Sequence, residues 1–101
     1  MKVLNVTKEN FEEIKASEKP VLLDFYADWC GPCRMVSPLV DQIAEERDDV
    51  LVGKINVDEQ PELASRYQIM TIPTLMVIRD GDIVTRSSGA KPKAKILEML
   101  A

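Results

Sequence analysis

Trp29-Cys30-Gly31-Pro32-Cys33-Arg34 holds both cysteines and the one tryptophan of this 101-residue chain. It stands where one hydrophobic pattern gives way to another. Before it, residues 21–27 read VLLDFYA, an apolar run of strand length suited to burial on both faces. After it, Val36, Leu39, Val40, Ile43 and Ala44 recur at the i, i+3, i+4, i+7, i+8 spacing of a helix face. The cysteine pair therefore lies at a strand-to-helix junction, with Cys30 at or just before the first helical residue and Cys33 in the first turn. Free backbone N–H groups and the positive end of the helix dipole favour a thiolate there over a thiol. Thiolate is the form that attacks disulfides, and such settings lower a cysteine pKa to about 3.5–7.5. Cys30 is the better placed attacker, and Cys33, one turn on, is the resolving thiol.

Two other readings of the sulfurs stay open. A structural zinc site needs four ligands, and the chain has no histidine and no third cysteine, so a metal would require carboxylates or a second chain. Inert buried cysteines are the other. Redox chemistry is favoured over both, and no metal is expected. The lack of histidine also removes the Cys-His arrangement of a thiol hydrolase.

The length suits one domain over residues 1–101, able to bury a core without disulfide staples. The net charge of −4 gives no reason to expect nucleic acid or an anionic membrane as partner. Lys91, Lys93 and Lys95 read as a solvated helix face. The start turns polar at once and no apolar run reaches membrane-spanning length, so a reducing cytoplasm is the default compartment. In it a lone Cys-x-x-Cys is catalytic or metal-binding more often than structural.

In chain order, residues 2–6 suit a short strand, and Thr7 suits the N-cap of a helix carrying Phe11 and Ile14. Lys19-Pro20 breaks before the strand at 21–27. The long helix runs from about 33 to 46, with Pro38 removing one hydrogen bond and kinking it. Residues 50–57 make a third strand, joined to the second by a right-handed crossover that sets the two parallel. Pro61 opens a short helix through Leu63, Ala64 and Tyr67. Residues 74–78 form a fourth strand, Asp80-Gly81 a hairpin, and 83–86 a fifth. Ser88-Gly89-Ala90 turns into a last helix bearing Ile96, Leu97 and Leu100. The expected class is α/β, a mixed sheet with helices on both faces.

Asp24 is an acid inside an apolar strand. Burial of that kind raises a carboxyl pKa because the charge is poorly solvated, and a group titrating near neutrality could take the Cys33 proton when a mixed disulfide resolves. An edge-exposed or simply paired carboxylate is the alternative. Lys54, on the strand beside it, is the natural ion-pair partner, unless it snorkels to solvent. Pro73 is either the first residue of a strand, where a missing donor does no harm, or part of a cis bond in a tight turn.

With these residues in hand the chain resembles the thioredoxin family. The segment VLLDFYADWCGPCR (21–34) carries the likeness, with Lys54-Ile55-Asn56-Val57-Asp58, Ile72-Pro73-Thr74, Asp80-Gly81 and Ser88-Gly89-Ala90 in order behind it. The resemblance implies a thioredoxin fold: a central mixed five-stranded β-sheet flanked by four α-helices, in the order βαβαβαββα. It implies Cys30 as nucleophile, Cys33 as resolving thiol, Asp24 as buried proton acceptor and Lys54 as its partner. It implies Trp29, Gly31 and Pro32 as the active-site turn, Pro73 as a cis proline facing the sulfurs, and Ile72, Pro73, Gly89 and Ala90 as the substrate-docking surface, with the Ile72 backbone pairing with extended substrate. The implied function is reduction of protein disulfides by a monomeric carrier of no bound cofactor, recycled by a thioredoxin reductase, NADPH-linked or ferredoxin-linked, so that NADPH enters only indirectly. A binding or chaperone module, or a more oxidising isomerase, are the alternatives; by analogy with the family, Gly31-Pro32 without a histidine beside Cys33 implies a potential on the reducing side. Three departures stand out. Gln68 replaces a common glycine, at a cost on the order of 1 kcal/mol if left-handed. Thr71 replaces a smaller glycine or serine before Ile72 and Met70 precedes it, the two rimming the docking groove, and Tyr26 stands where some relatives carry a second tryptophan.

Overall fold

The computed structural model describes residues 2–101. Five strands, β1 (Leu4–Asn5), β2 (Val21–Tyr26), β3 (Leu51–Asn56), β4 (Thr74–Arg79) and β5 (Asp82–Ser88), alternate with four helices, α1 (Phe11–Lys15), α2 (Gly31–Glu46), α3 (Pro61–Arg66) and α4 (Lys93–Met99). They form one sheet in the order β1-β3-β2-β4-β5. β1 and β2 run parallel to β3, whereas β4 is antiparallel to both β2 and β5.

Alternation along the strands sorts side chains between two cores. Leu22, Val52, Leu75 and Val77 pack with Val36, Val40 and Ile43 of α2 and Ile96 of α4. Leu23, Phe25, Ile55, Met76 and Ile78 pack with Phe11 and Ile14 of α1 and Leu63 of α3. Both faces of the central strands are thus covered, which is why β2 and β4 read as nearly unbroken apolar runs. Asp24, two residues on from Leu22, shares its face of the sheet, under α2. At the β1–β3 contact Gly53 is required, because a Cβ there would sit 2.5 Å from Val6 Cγ2.

Local structure departs from the sequence reading at several ends. β1 is confined to Leu4–Asn5 rather than filling residues 2–6. Thr7 does not cap α1: its carbonyl accepts from Phe11 N at 2.9 Å, its own N–H donates to Asn10 Oδ1 at 2.8 Å, and the cap position falls to Asn10, whose side chain makes no cap bond. Asn10 is spent instead on holding the preceding turn, since its Nδ2 also donates to Asn5 O at 3.0 Å. α2 starts at Gly31 with Cys30 as N-cap, as expected of a Cys30 at or just before the first helical residue and two residues ahead of the approximate start at 33. Pro32 in its first turn lacks only an N–H that would have been unpaired. The helix continues through Pro38 to Glu46.

α3 ends in a Schellman motif. Gln68 N donates to Ser65 O at 3.0 Å and Ile69 N to Ala64 O at 2.9 Å, and Gln68 takes φ 53°, the left-handed conformation that usually selects glycine.

Candidate active site

The site grows from the β2–α2 junction. Cys30 closes a turn by donating its N–H to Ala27 O at 3.2 Å, and its Sγ accepts from Cys33 N at 3.2 Å. A sulfur thus occupies the capping position of α2, where the helix presents its free donors. Cys30 and Cys33 are joined as a disulfide with Cα atoms 5.3 Å apart. The two are nearly buried, packed on Ala27 with Tyr26, Val57 and Ile72 around them.

The other expected site residues lie on the loops and turns around the pair. The Ile72–Pro73 peptide bond is cis, and the Ile72 carbonyl oxygen lies 3.8 Å from Cys30 Sγ. Among the described residues, no backbone group takes the N–H or C=O of Ile72. Gly89, at φ 89°, donates to Pro73 O at 2.8 Å and so ties the β5–α4 turn to the same loop. Ala90 comes next, lining a groove of about 350 Å³ with Met35, Leu39, Lys91 and Pro92. Trp29 is 68% exposed and anchored by its Nε1 donating to Asp58 Oδ2 at 2.8 Å. Gly31 and Pro32 form the first two positions of α2. Met70 stands out at 91% exposure.

Asp24 is fully buried, and neither carboxyl oxygen has a hydrogen-bond partner. Burial pushes its carboxyl up from 3.8 to about 7, against the pull of the Lys54 charge and with a small push from Asp41. The ion pair expected between Asp24 and Lys54 is not formed. The two are register partners across β2 and β3, but Lys54 Nζ reaches away to Asp41 Oδ1 at 2.7 Å and to the hydroxyl of Ser37. The physical reason is solvation: Asp41 is half exposed, so pairing there satisfies the ammonium without desolvating it beside a buried acid. Sequence reasoning missed Ser37 and Asp41. A signal was present, because Cys33, Ser37 and Asp41 fall at i, i+4, i+8, a polar line along α2. A crevice of about 200 Å³ opens beside that line between Tyr26, Asp28, Cys33, Arg34 and Ser37. No group of three or more metal-ligating side chains is found among the described residues, and no helix among them is long and apolar enough to cross a membrane.

The thioredoxin family model matches residues 2–101. The chain belongs to the thioredoxin family. Thioredoxin 1 of Synechococcus elongatus is 50% identical over 97 residues, covering 94% of this chain and 91% of that protein. The solved structure of a mutant thioredoxin from Halobacterium salinarum superposes with a TM-score of 0.90 at 37% identity, over 97% of this chain and 87% of that one. A bifunctional thioredoxin reductase/thioredoxin of Mycobacterium leprae is 46% identical over 92 residues, which are 90% of this chain and 20% of that protein. With the Cys30–Cys33 pair in place, this thioredoxin-family chain is a thiol-disulfide oxidoreductase acting on protein disulfides.

Proposed function

We propose that the chain acts as one unit over residues 1–101, a monomeric cytoplasmic reductant of protein disulfides. The observation that carries the reading is the Ile72 carbonyl set against Cys30 Sγ, beside a backbone N–H left free to pair with an extended substrate segment. Cys30 thiolate attacks one sulfur of a target disulfide and forms a mixed disulfide, while the other target sulfur leaves as a thiolate and takes up a proton. Cys33 then gives its proton to the Asp24 carboxylate and attacks Cys30 Sγ, and the second target sulfur leaves as a thiolate that takes up a proton from solvent. Two electrons pass to the target, and Cys30–Cys33 is left oxidised.

Placement of each group supports these roles. Cys30 at the cap of α2 is favoured as a thiolate, and Asp24, with its carboxyl near 7, can accept a proton at neutral pH and release it afterwards. Lys54 acts on Asp24 at a distance rather than by contact. Trp29, Gly31, Pro32, Ile72, Pro73, Gly89 and Ala90 form the rim that meets the substrate. A separate reductase returns two electrons, and one proton restores the Cys33 thiol beside the Cys30 thiolate; the fusion of reductase and thioredoxin in one relative supports such a partner, with NADPH as the distant donor.

The deciding experiment equilibrates the protein with glutathione or dithiothreitol and counts free thiols. The expected potential is about −270 mV, the value of thioredoxin itself; one near about −180 mV, as in disulfide isomerase, would reverse the assigned direction of electron flow. Serine at both Cys30 and Cys33 should abolish insulin reduction, and activity that survived it would favour a binding module instead.

A further inference from the structure

We infer that Arg86 is a positioning residue for the docking loop. Arg86 lies on β5 opposite Met76, on the sheet face that α1 and α3 cover, and its guanidinium reaches over to α3. There Nη1 donates to Tyr67 O and Nη2 to Gln68 O at 2.8 Å. These two carbonyls lie just past the Schellman bonds, which use only the oxygens of Ala64 and Ser65. A planar cation with parallel donors suits a pair of carbonyls at the negative end of a helix.

The next few residues of the chain give this contact its consequence. Gln68 holds a left-handed conformation without being glycine, so the turn needs support from outside itself. Ile72, whose carbonyl faces Cys30 Sγ, lies one short loop further on. The far end of that loop is held independently, by Thr74 Oγ1 donating to Thr71 O and Gly89 N to Pro73 O at 2.8 Å. Arg86 therefore braces the near end, beside the Schellman bonds and the packing of Tyr67 and Ile69 on the core, and it helps set where the free N–H and C=O of Ile72 stand relative to the sulfurs. The inference rests on the proposed docking of substrate backbone at Ile72.

Arg86→Ala should lower the second-order rate with insulin about tenfold, because an edge displaced by a fraction of an ångström no longer pairs with substrate backbone. The rate with a small aromatic disulfide, which has no backbone to dock, should change by less than about twofold. Equal losses on both substrates, or none on either, would overturn the role. A merely structural arginine would lower the melting temperature without splitting the two rates. Should Arg86→Ala fail to fold, Arg86→Gln, which keeps one donor, carries the same comparison. The underlying reading is checked separately in the Cys33→Ser protein, trapped as a mixed disulfide between Cys30 and a cysteine peptide. Failure of the peptide to protect the Ile72 amide from hydrogen exchange would overturn docking itself; protection there, with no rate split in Arg86→Ala, would overturn the Arg86 role alone.

Discussion

Asp24 was legible in the sequence as a residue out of place, and its burial and raised pKa come from the apolar run around it. Its partner was not legible. Lys54 stands in the expected register, yet the direction of a four-carbon side chain depends on what α2 offers, and α2 offers Ser37 and Asp41. The result is a carboxyl without a direct partner, raised to about 7, and this has a stability sign. A folded-state pKa above the unfolded one means that the folded chain holds the proton more tightly. The favourable contribution is complete below about pH 4 and is lost as pH rises through about 7. Asp24→Asn, neutral at every pH, should therefore match the parent near pH 4 and exceed it at pH 8 by on the order of 4 kcal/mol, as read from urea unfolding at the two pH values. The same variant lacks the proton acceptor proposed for Cys33. Release of target from the mixed disulfide should slow by about a hundredfold and lose its pH dependence near 7 in single-turnover measurements.

At the level of elements, strand and helix order was readable from periodicity, while ends were decided by local competition for hydrogen bonds. Thr7 has the side chain of a cap, but Asn10, with a longer polar arm, folds the preceding segment into its own turn. α2 begins at Gly31 with the Cys30 sulfur in the cap position, at the junction where the strand period gives way to the helix period. Gln68 was legible too, since a non-glycine residue after a short helix already signals strain, and its φ of 53° agrees. Gln68→Gly should raise stability by about 1 kcal/mol, seen as a higher denaturant midpoint at unchanged slope; the Arg86 contact to the backbone of residue 68 would survive it. Gly53 has the reverse prospect. Alanine there would drive a methyl into Val6 and Leu23, and Gly53→Ala should cost about 1–3 kcal/mol in the same assay.

Across the whole molecule, the sheet keeps two cores apart, with α2 and α4 on one side and α1 and α3 on the other. Ile14→Val and Ile96→Val sit in different cores and should each cost about 0.5–1.5 kcal/mol. Combined, their costs should add to within about 0.5 kcal/mol; a larger coupling term in the double mutant would mean that the sheet transmits strain between its faces. The active site draws on both sides of this arrangement, since Cys33 and its polar line belong to α2, whereas Ile72 comes after α3.

The sequence by itself determined the element order, the mixed sheet, the cysteine pair at a helix start and the buried acid. Each of these is written in residues near one another in the chain, as apolar period, turn chemistry or a polar residue in an apolar run. Only the tertiary structure decided that Lys54 turns to Asp41, that Trp29 is held by Asp58, and that Arg86 reaches the carbonyls of Tyr67 and Gln68. Those contacts join residues 13 or more positions apart, and which of several available partners a long side chain meets depends on how helices settle on the sheet, a distance that local pattern does not encode.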